Sequence, residues 1–161
     1  MTNEQINHIL STVTDPEIPV LTILDMGIVR EITAESTGIN ISITPTYSGC
    51  PAMNTIADDI CAAFAKEGVE NVSVKLVLSP AWSTDWLSEE GKQKLSAYGI
   101  APPLDHDADK AALWNGAKVI PCPQCHSTNT KMISMFGSTA CKSLHQCNDC
   151  LETFDYFKCL K

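Results

Sequence analysis

Two cysteine pairs, Cys122-Pro123-Gln124-Cys125 and Cys147-Asn148-Asp149-Cys150, carry the clearest chemistry in this sequence, with 21 residues between them. In a C-x₂-C turn two thiolates grip one ion, and two such turns close a tetrahedron, the arrangement of a structural zinc site. Iron held by the same four sulfurs is the rival reading, as in a rubredoxin-like electron carrier. Cys141 and Cys159 exceed the needs of a four-ligand site; they either pack against the module or supply additional thiols to a transferable metal or cluster. His126 and His145 are close enough in sequence to support the ligands without binding the metal themselves.

A second constellation involves Cys50, Asp15 and Glu17. Cys50 precedes Pro51, a residue suited to the start of a helix, and the N–H groups and dipole of a helix start favour a negative sulfur. The expectation is an acidified thiol that binds soft metals or attacks electrophiles, with Asp15 and Glu17 as oxygen ligands or proton acceptors. Trp82 and Trp86 would wall this site. The alternative is purely structural: Cys50 as a small buried hydrophobe, Asp15 as a turn residue, the tryptophans as core. Cys61 reads as packing.

The elements that must position these residues follow from the hydrophobic pattern. Ile6, Ile9, Leu10 and Val13 make the apolar stripe of a helix from Glu4 to Val13. A strand around Ile28–Ile32, a turn at Ser36-Thr37-Gly38 and the alternating Ile39, Ile41 and Ile43 predict an antiparallel hairpin. A helix runs from Pro51 to about Lys66, a third strand alternates through Val72, Val74, Leu76 and Leu78, and Ser88 opens a short helix closed by Gly99. The prediction is an α+β fold: a two-layer α-β-β-α-β sandwich with an added helix, followed by a small zinc-ribbon-like β module. The domains expected are residues 1–103, a linker at 104–118 and the module at 119–161. A right-handed crossover makes the third strand parallel to the second. Three loops, 15–19, 47–51 and 79–86, then meet at one pole of the sheet.

Composition narrows the function classes. The chain has 161 residues and a formal net charge of −8. Residues 1–110 carry 6 basic against 16 acidic side chains and residues 111–161 carry 5 against 3. No stripe of Lys and Arg is present for a phosphate backbone, so no nucleic-acid partner is expected. No apolar run approaches the roughly 20 residues of a membrane span, and Met1-Thr2-Asn3-Glu4-Gln5 is no secretory leader. A cytoplasmic location is expected, where cysteines serve metals rather than disulfides. No nucleophile elbow, Walker loop or dinucleotide fingerprint is found, so a self-sufficient enzyme is not expected.

Asp15-Pro16-Glu17, Asp25-Met26-Gly27-Ile28-Val29 and Ser48-Gly49-Cys50-Pro51 resemble the iron–sulfur-assembly domain family that includes SufT and the eukaryotic cytosolic targeting factors. Adding Pro80-Ala81-Trp82-Ser83-Thr84-Asp85-Trp86, Gly99-Ile100-Ala101-Pro102-Pro103 and the Phe-Gly-Ser-Thr-Ala-Cys and Phe-Asp-Tyr-Phe-Lys segments of the tail, nearly the whole chain resembles the D-component family of bacterial phenylacetyl-CoA epoxidase systems. The resemblance implies a non-catalytic maturation factor for the di-iron or [2Fe–2S] centres of that epoxidase in aerobic phenylacetate breakdown. Cys50, Asp15 and Glu17 would handle a transient iron or cluster, and Cys122, Cys125, Cys147 and Cys150 would hold zinc. The oxygenase or reductase subunits are the implied partners, with a homodimer also open; an electron-transfer or clamping subunit is the alternative role. Thr153 and Leu160 depart from the family pattern in the extreme tail.

Overall fold

In the computed structural model, residues 1–35, 37–104 and 119–158 are described; most of the expected linker, and Cys159, lie outside them. Two compact units divide the chain, Met1–Gly91 and Lys92–Lys161.

The first unit begins with α1 (Asn3–Leu10), started by a capping box in which Thr2 and Gln5 exchange hydrogen bonds. It buries Ile6, Ile9 and Leu10 as the stripe predicts but ends before Val13. Ser11 caps the end, its N–H reaching the Asn7 carbonyl (2.9 Å), and the next residue, Thr12, sends its N–H (3.0 Å) and hydroxyl (2.7 Å) to the Ile9 carbonyl. Strands β1 (Val29–Glu35) and β2 (Gly38–Ile43) form the hairpin, α2 (Ala52–Lys66) crosses over, and β3 (Val72–Leu76) returns parallel to β2. The sheet order is β1-β2-β3. Ile39, Ile41 and Ile43 are buried, as are Met53, Ile56, Ile60 and Phe64 of α2, which is the two-layer core expected. β3 stops at Leu76 rather than Leu78, and these two leucines are exposed.

After the short 3₁₀ turn Thr84–Trp86, α3 (Glu89–Tyr98) leads to β4 (Ile100–Ala101). β4 pairs in parallel with β7 (Thr153–Phe157), beside β6 (Lys142–Cys147) and β5 (Thr130–Ser134), in the order β4-β7-β6-β5. The sequence puts the boundary after residue 103, at the Pro102-Pro103 punctuation. The compact units meet between Gly91 and Lys92, and Ile100 and Ala101 lie opposite Asp155 and Tyr156 in the second. Among the described residues the ribbon core is formed by Ala101, Ile120, Cys122, Cys147, Phe154 and Tyr156.

Candidate metal sites

Backbone pairing gathers the first site. The Thr44 N–H reaches the Ile28 carbonyl (2.8 Å), so the start of β1 lies beside the end of β2; the Val77 N–H reaches the Ile43 carbonyl (2.9 Å), adding the end of β3. The segments leading into β1 and out of β2 and β3 therefore share one pole, the pole at which α2 begins.

Asp15 shapes the first of these loops. A bridge between Thr14 and Thr22 and the bond from Asp15 N–H to the Leu21 carbonyl (2.9 Å) close it. The buried Asp15 Oδ1 accepts from the N–H groups of Glu17 and Ile18, both at 2.8 Å. This Asx turn fixes the backbone that carries Glu17. Asp15 thus has the turn role left open from sequence and also lies near the sulfur.

Cys50 is half-buried ahead of α2. Its thiol is pushed up from its ordinary value, first by burial and further by the carboxylates of Glu17 and Asp15, which outweigh the Ala52 N–H and the Tyr47 hydroxyl that favour the thiolate. This corrects the expectation of an acidified thiol: one helix-start N–H is outweighed by desolvation and two like charges. Both acidic residues are therefore within electrostatic reach of the sulfur. With the pKa raised, Cys50 carries less thiolate at a given pH than a free cysteine. Iodoacetamide should label it severalfold more slowly than an unstructured thiol at neutral pH, and Glu17→Gln should speed labelling by removing one repelling charge. Mass spectrometry of the Cys50 peptide over time checks both. Cys61 is packing, half-buried with its sulfur 3.9 Å from the Val72 carbonyl.

The tryptophans clamp the run into β1. Trp82 is buried and its indole N–H donates to the Met26 carbonyl (2.8 Å), while Trp86 lies 3.6 Å beneath the Arg30 guanidinium. Gly27 has φ +65° and packs so closely that a Cβ would overlap the Trp86 carbonyl. Trp82 therefore faces inward and does not wall an open site. Sequence reasoning gave no role to Asp25, a buried carboxylate accepting from the Thr22 N–H (3.0 Å), the Thr22 hydroxyl (2.8 Å) and the Ser88 hydroxyl (3.1 Å). It ties the first loop to the start of α3. Thr44, also unassigned, buries a hydroxyl with no hydrogen-bond partner among the described residues.

The four cysteines of the second site converge. Their sulfurs all lie within 4.8 Å of one another, with Cys122–Cys150 at 3.7 Å and Cys125–Cys147 at 3.6 Å. A tetrahedron with metal–sulfur bonds of about 2.3 Å has edges of about 3.8 Å, so the donor set fits zinc. The turns are built alike. Cys122 N–H bonds the Ser127 carbonyl and Cys147 N–H bonds the Glu152 carbonyl, both at 2.9 Å. The residue after each second cysteine, His126 and Leu151, is left-handed, with φ of 61° and 63°. Glycine suits that backbone better, so Leu151→Gly, at an exposed position, should raise the stability of the metal-loaded unit by about 1 kcal/mol. Chemical denaturation checks it.

Four thiols this close do not share protons evenly. N–H groups of Cys150 and Asp149 bring Cys147 down to about 7. Cys150 is pulled down by the Glu152 N–H, yet burial and the neighbouring thiols leave it pushed up to about 12. Cys141 is no member of this cluster. It precedes β6, whose far end is Cys147, a span of about 20 Å for six extended residues. It is buried, 3.1 Å from the Thr139 hydroxyl. His145 stacks on Phe154 and meets Tyr156 edge-on, with Nε2 3.0 Å from the Ser143 hydroxyl.

Residues 3–76 match the iron–sulfur cluster assembly protein family, and residues 106–158 match the PaaD zinc beta ribbon domain. A protein of Escherichia coli (strain K12), whose name makes it the D component of 1,2-phenylacetyl-CoA epoxidase, is 47% identical over 94% of this chain and 90% of its own length. A protein of Porphyromonas gingivalis named Fe-S protein maturation auxiliary factor is 34% identical over 58% of this chain and 90% of its own. Among solved structures, a DUF59 domain from Bacillus anthracis superposes with a TM-score of 0.53 at 28% identity, over 57% of this chain and 89% of that one. No helix among the described residues is long and apolar enough to cross a membrane. With an assembly-type domain at residues 3–76, a zinc-ribbon match at residues 106–158 and 47% identity over nearly the whole length of the Escherichia coli protein, the chain belongs to the PaaD family.

Proposed function

We propose that this chain is a cytoplasmic, non-catalytic maturation factor for the iron centres, di-iron or [2Fe–2S], of a phenylacetyl-CoA epoxidase. In this reading Cys50, with Asp15 and Glu17, takes up iron or a cluster as cargo, and zinc at Cys122, Cys125, Cys147 and Cys150 holds the ribbon together. The oxygenase or reductase subunits receive the cargo. The observation that carries it is the electrostatic contact of Glu17 and Asp15 with a half-buried Cys50 in an iron–sulfur-assembly fold. Burial first, and then the two carboxylates, push the thiol up, and a bound cation would neutralise the carboxylates. Binding iron then forms the S–Fe bond, releases the thiol proton and relieves the carboxylate repulsion. A sulfur held this way stays guarded until cargo arrives and releases it when the proton returns.

The test is to delete the gene in a strain that expresses the epoxidase, then restore it. Epoxidase purified from the deletion strain should lack iron and activity, and the restored chain should return both. Full iron content in the deletion strain would overturn the reading. The iron-carrier alternative for the ribbon predicts visible thiolate-to-iron absorption from the purified protein, whereas the zinc reading predicts a colourless protein with one zinc per chain.

A further inference from the structure

The two cysteine turns are tied to each other by side chains that ligate nothing. The Ser127 hydroxyl donates to Asp149 Oδ2, and the Asn129 side-chain amide donates to Asp149 Oδ1 (2.8 Å). The Asn129 N–H in turn reaches the Ser127 hydroxyl (3.0 Å). Beside them the Asn148 N–H reaches the Asn129 carbonyl (2.8 Å), and the Asn148 side-chain amide reaches Asn129 Oδ1 (3.0 Å). Ser127 and Asn129 follow the first cysteine pair, whereas Asn148 and Asp149 lie between the cysteines of the second. All of these bonds except Asn129 to Ser127 therefore cross from one turn to the other. Both oxygens of the carboxylate are used, and its two bonds are charge-assisted.

The same residues hold the sulfurs. The Ser127 N–H reaches the Cys125 sulfur and the Asp149 N–H reaches the Cys147 sulfur; these two sulfurs lie 3.6 Å apart. The Ser127–Asp149 bond thus joins the two residues whose backbones grip one edge of the tetrahedron. Charge gives no other reason for a carboxylate here. Thiols that load a divalent ion give up their protons, so four of them around one ion become a net anion, which a neighbouring carboxylate opposes. We propose that Asp149, clasped to Ser127 and Asn129, is a positioning residue of the metal site that fixes the spacing of Cys125 and Cys147 for the incoming ion; this rests on the reading of the four cysteines as a metal site. The clasp is exposed to water, so it adds to the grip of the metal and does not replace it.

The experiment uses the full chain, Asp149→Ala, Ser127→Ala and the double variant, with circular dichroism at saturating zinc establishing that each is folded. Zinc affinity is measured by competition with a chromophoric chelator. Each single variant should bind zinc about tenfold or more weakly. The double variant should lose less than the product of the two single losses, because both remove the same bond. A carboxylate acting through its charge alone would make Asp149→Ala bind zinc more tightly; that result, unchanged affinity, or losses that simply multiply would overturn the proposal. Cadmium-113 NMR of the cadmium-loaded chain reads the geometry at the sulfurs apart from stability. Its resonance should move in both single variants and stay in place in Ser138→Ala. That control removes a comparable hydroxyl-to-carboxylate bond (3.1 Å, to Asp155) ahead of β6, at the end away from Cys147. A resonance that Asp149→Ala leaves unmoved would also overturn the proposal. A wild-type chain that takes up no zinc would sink the metal site and the clasp together, whereas a loaded wild type with unaffected variants sinks the clasp alone.

Discussion

Epoxidase produced with the Cys50→Ser variant should be as poor in iron and activity as epoxidase from a strain lacking the chain altogether. Serine is close to cysteine in size, and Cys50 is half-buried with its N–H bound to the Tyr47 carbonyl (3.2 Å), a bond serine keeps. The folding cost should be within about 1 kcal/mol. The hydroxyl, however, does not ionise to a soft anionic donor, so the proposed iron site would lose its sulfur. Circular dichroism and zinc content should match the wild type while epoxidase iron drops to background. Glu17→Gln should give a partial loss, because it keeps the sulfur and removes one of the two charges that a bound cation satisfies.

Stripping the metal from the four cysteines, or replacing Cys147 with serine, should unfold the ribbon unit and spare the first. Among the described residues the ribbon core numbers six, two of them cysteines of the candidate metal site, and a core of that size depends on its metal. Zinc in comparable small modules contributes on the order of 10 kcal/mol, more than such a core supplies. The first unit has its own core in Ile6, Leu10, Ile41, Ile43, Ile56, Ile60 and Phe64. Hydrogen exchange should therefore show amides of β6 and β7 losing protection after chelation, with those of β2 and α2 unchanged.

What could be read from sequence divides along the range of the interactions involved. The hairpin, the crossover helix and the parallel third strand came from local alternation and from the handedness of crossovers, and so did the pole that the loops of Asp15, Glu17 and Cys50 share. The four-cysteine site followed from spacing alone. The thiol's rise was not legible, because it comes from burial and from two carboxylates more than thirty residues away in the chain. The role of Asp25 depends on Ser88, 63 residues further on. The unit boundary depends on β4 finding β7, and no local signal marks a two-residue strand. Proximity in sequence left Cys141 open between packing and an additional thiol; only the direction of β6 reveals that it stands at the opposite end from Cys147.

The most direct measurement is X-ray absorption at the iron edge on the zinc-loaded chain, purified without air and given one equivalent of ferrous iron, beside its Cys50→Ser variant. Iron bound by one sulfur among oxygen donors, with that sulfur absent in the variant, is the result expected if Cys50, Asp15 and Glu17 handle the cargo. Iron surrounded by four sulfurs in both proteins, or identical spectra with and without the Cys50 thiol, would contradict it.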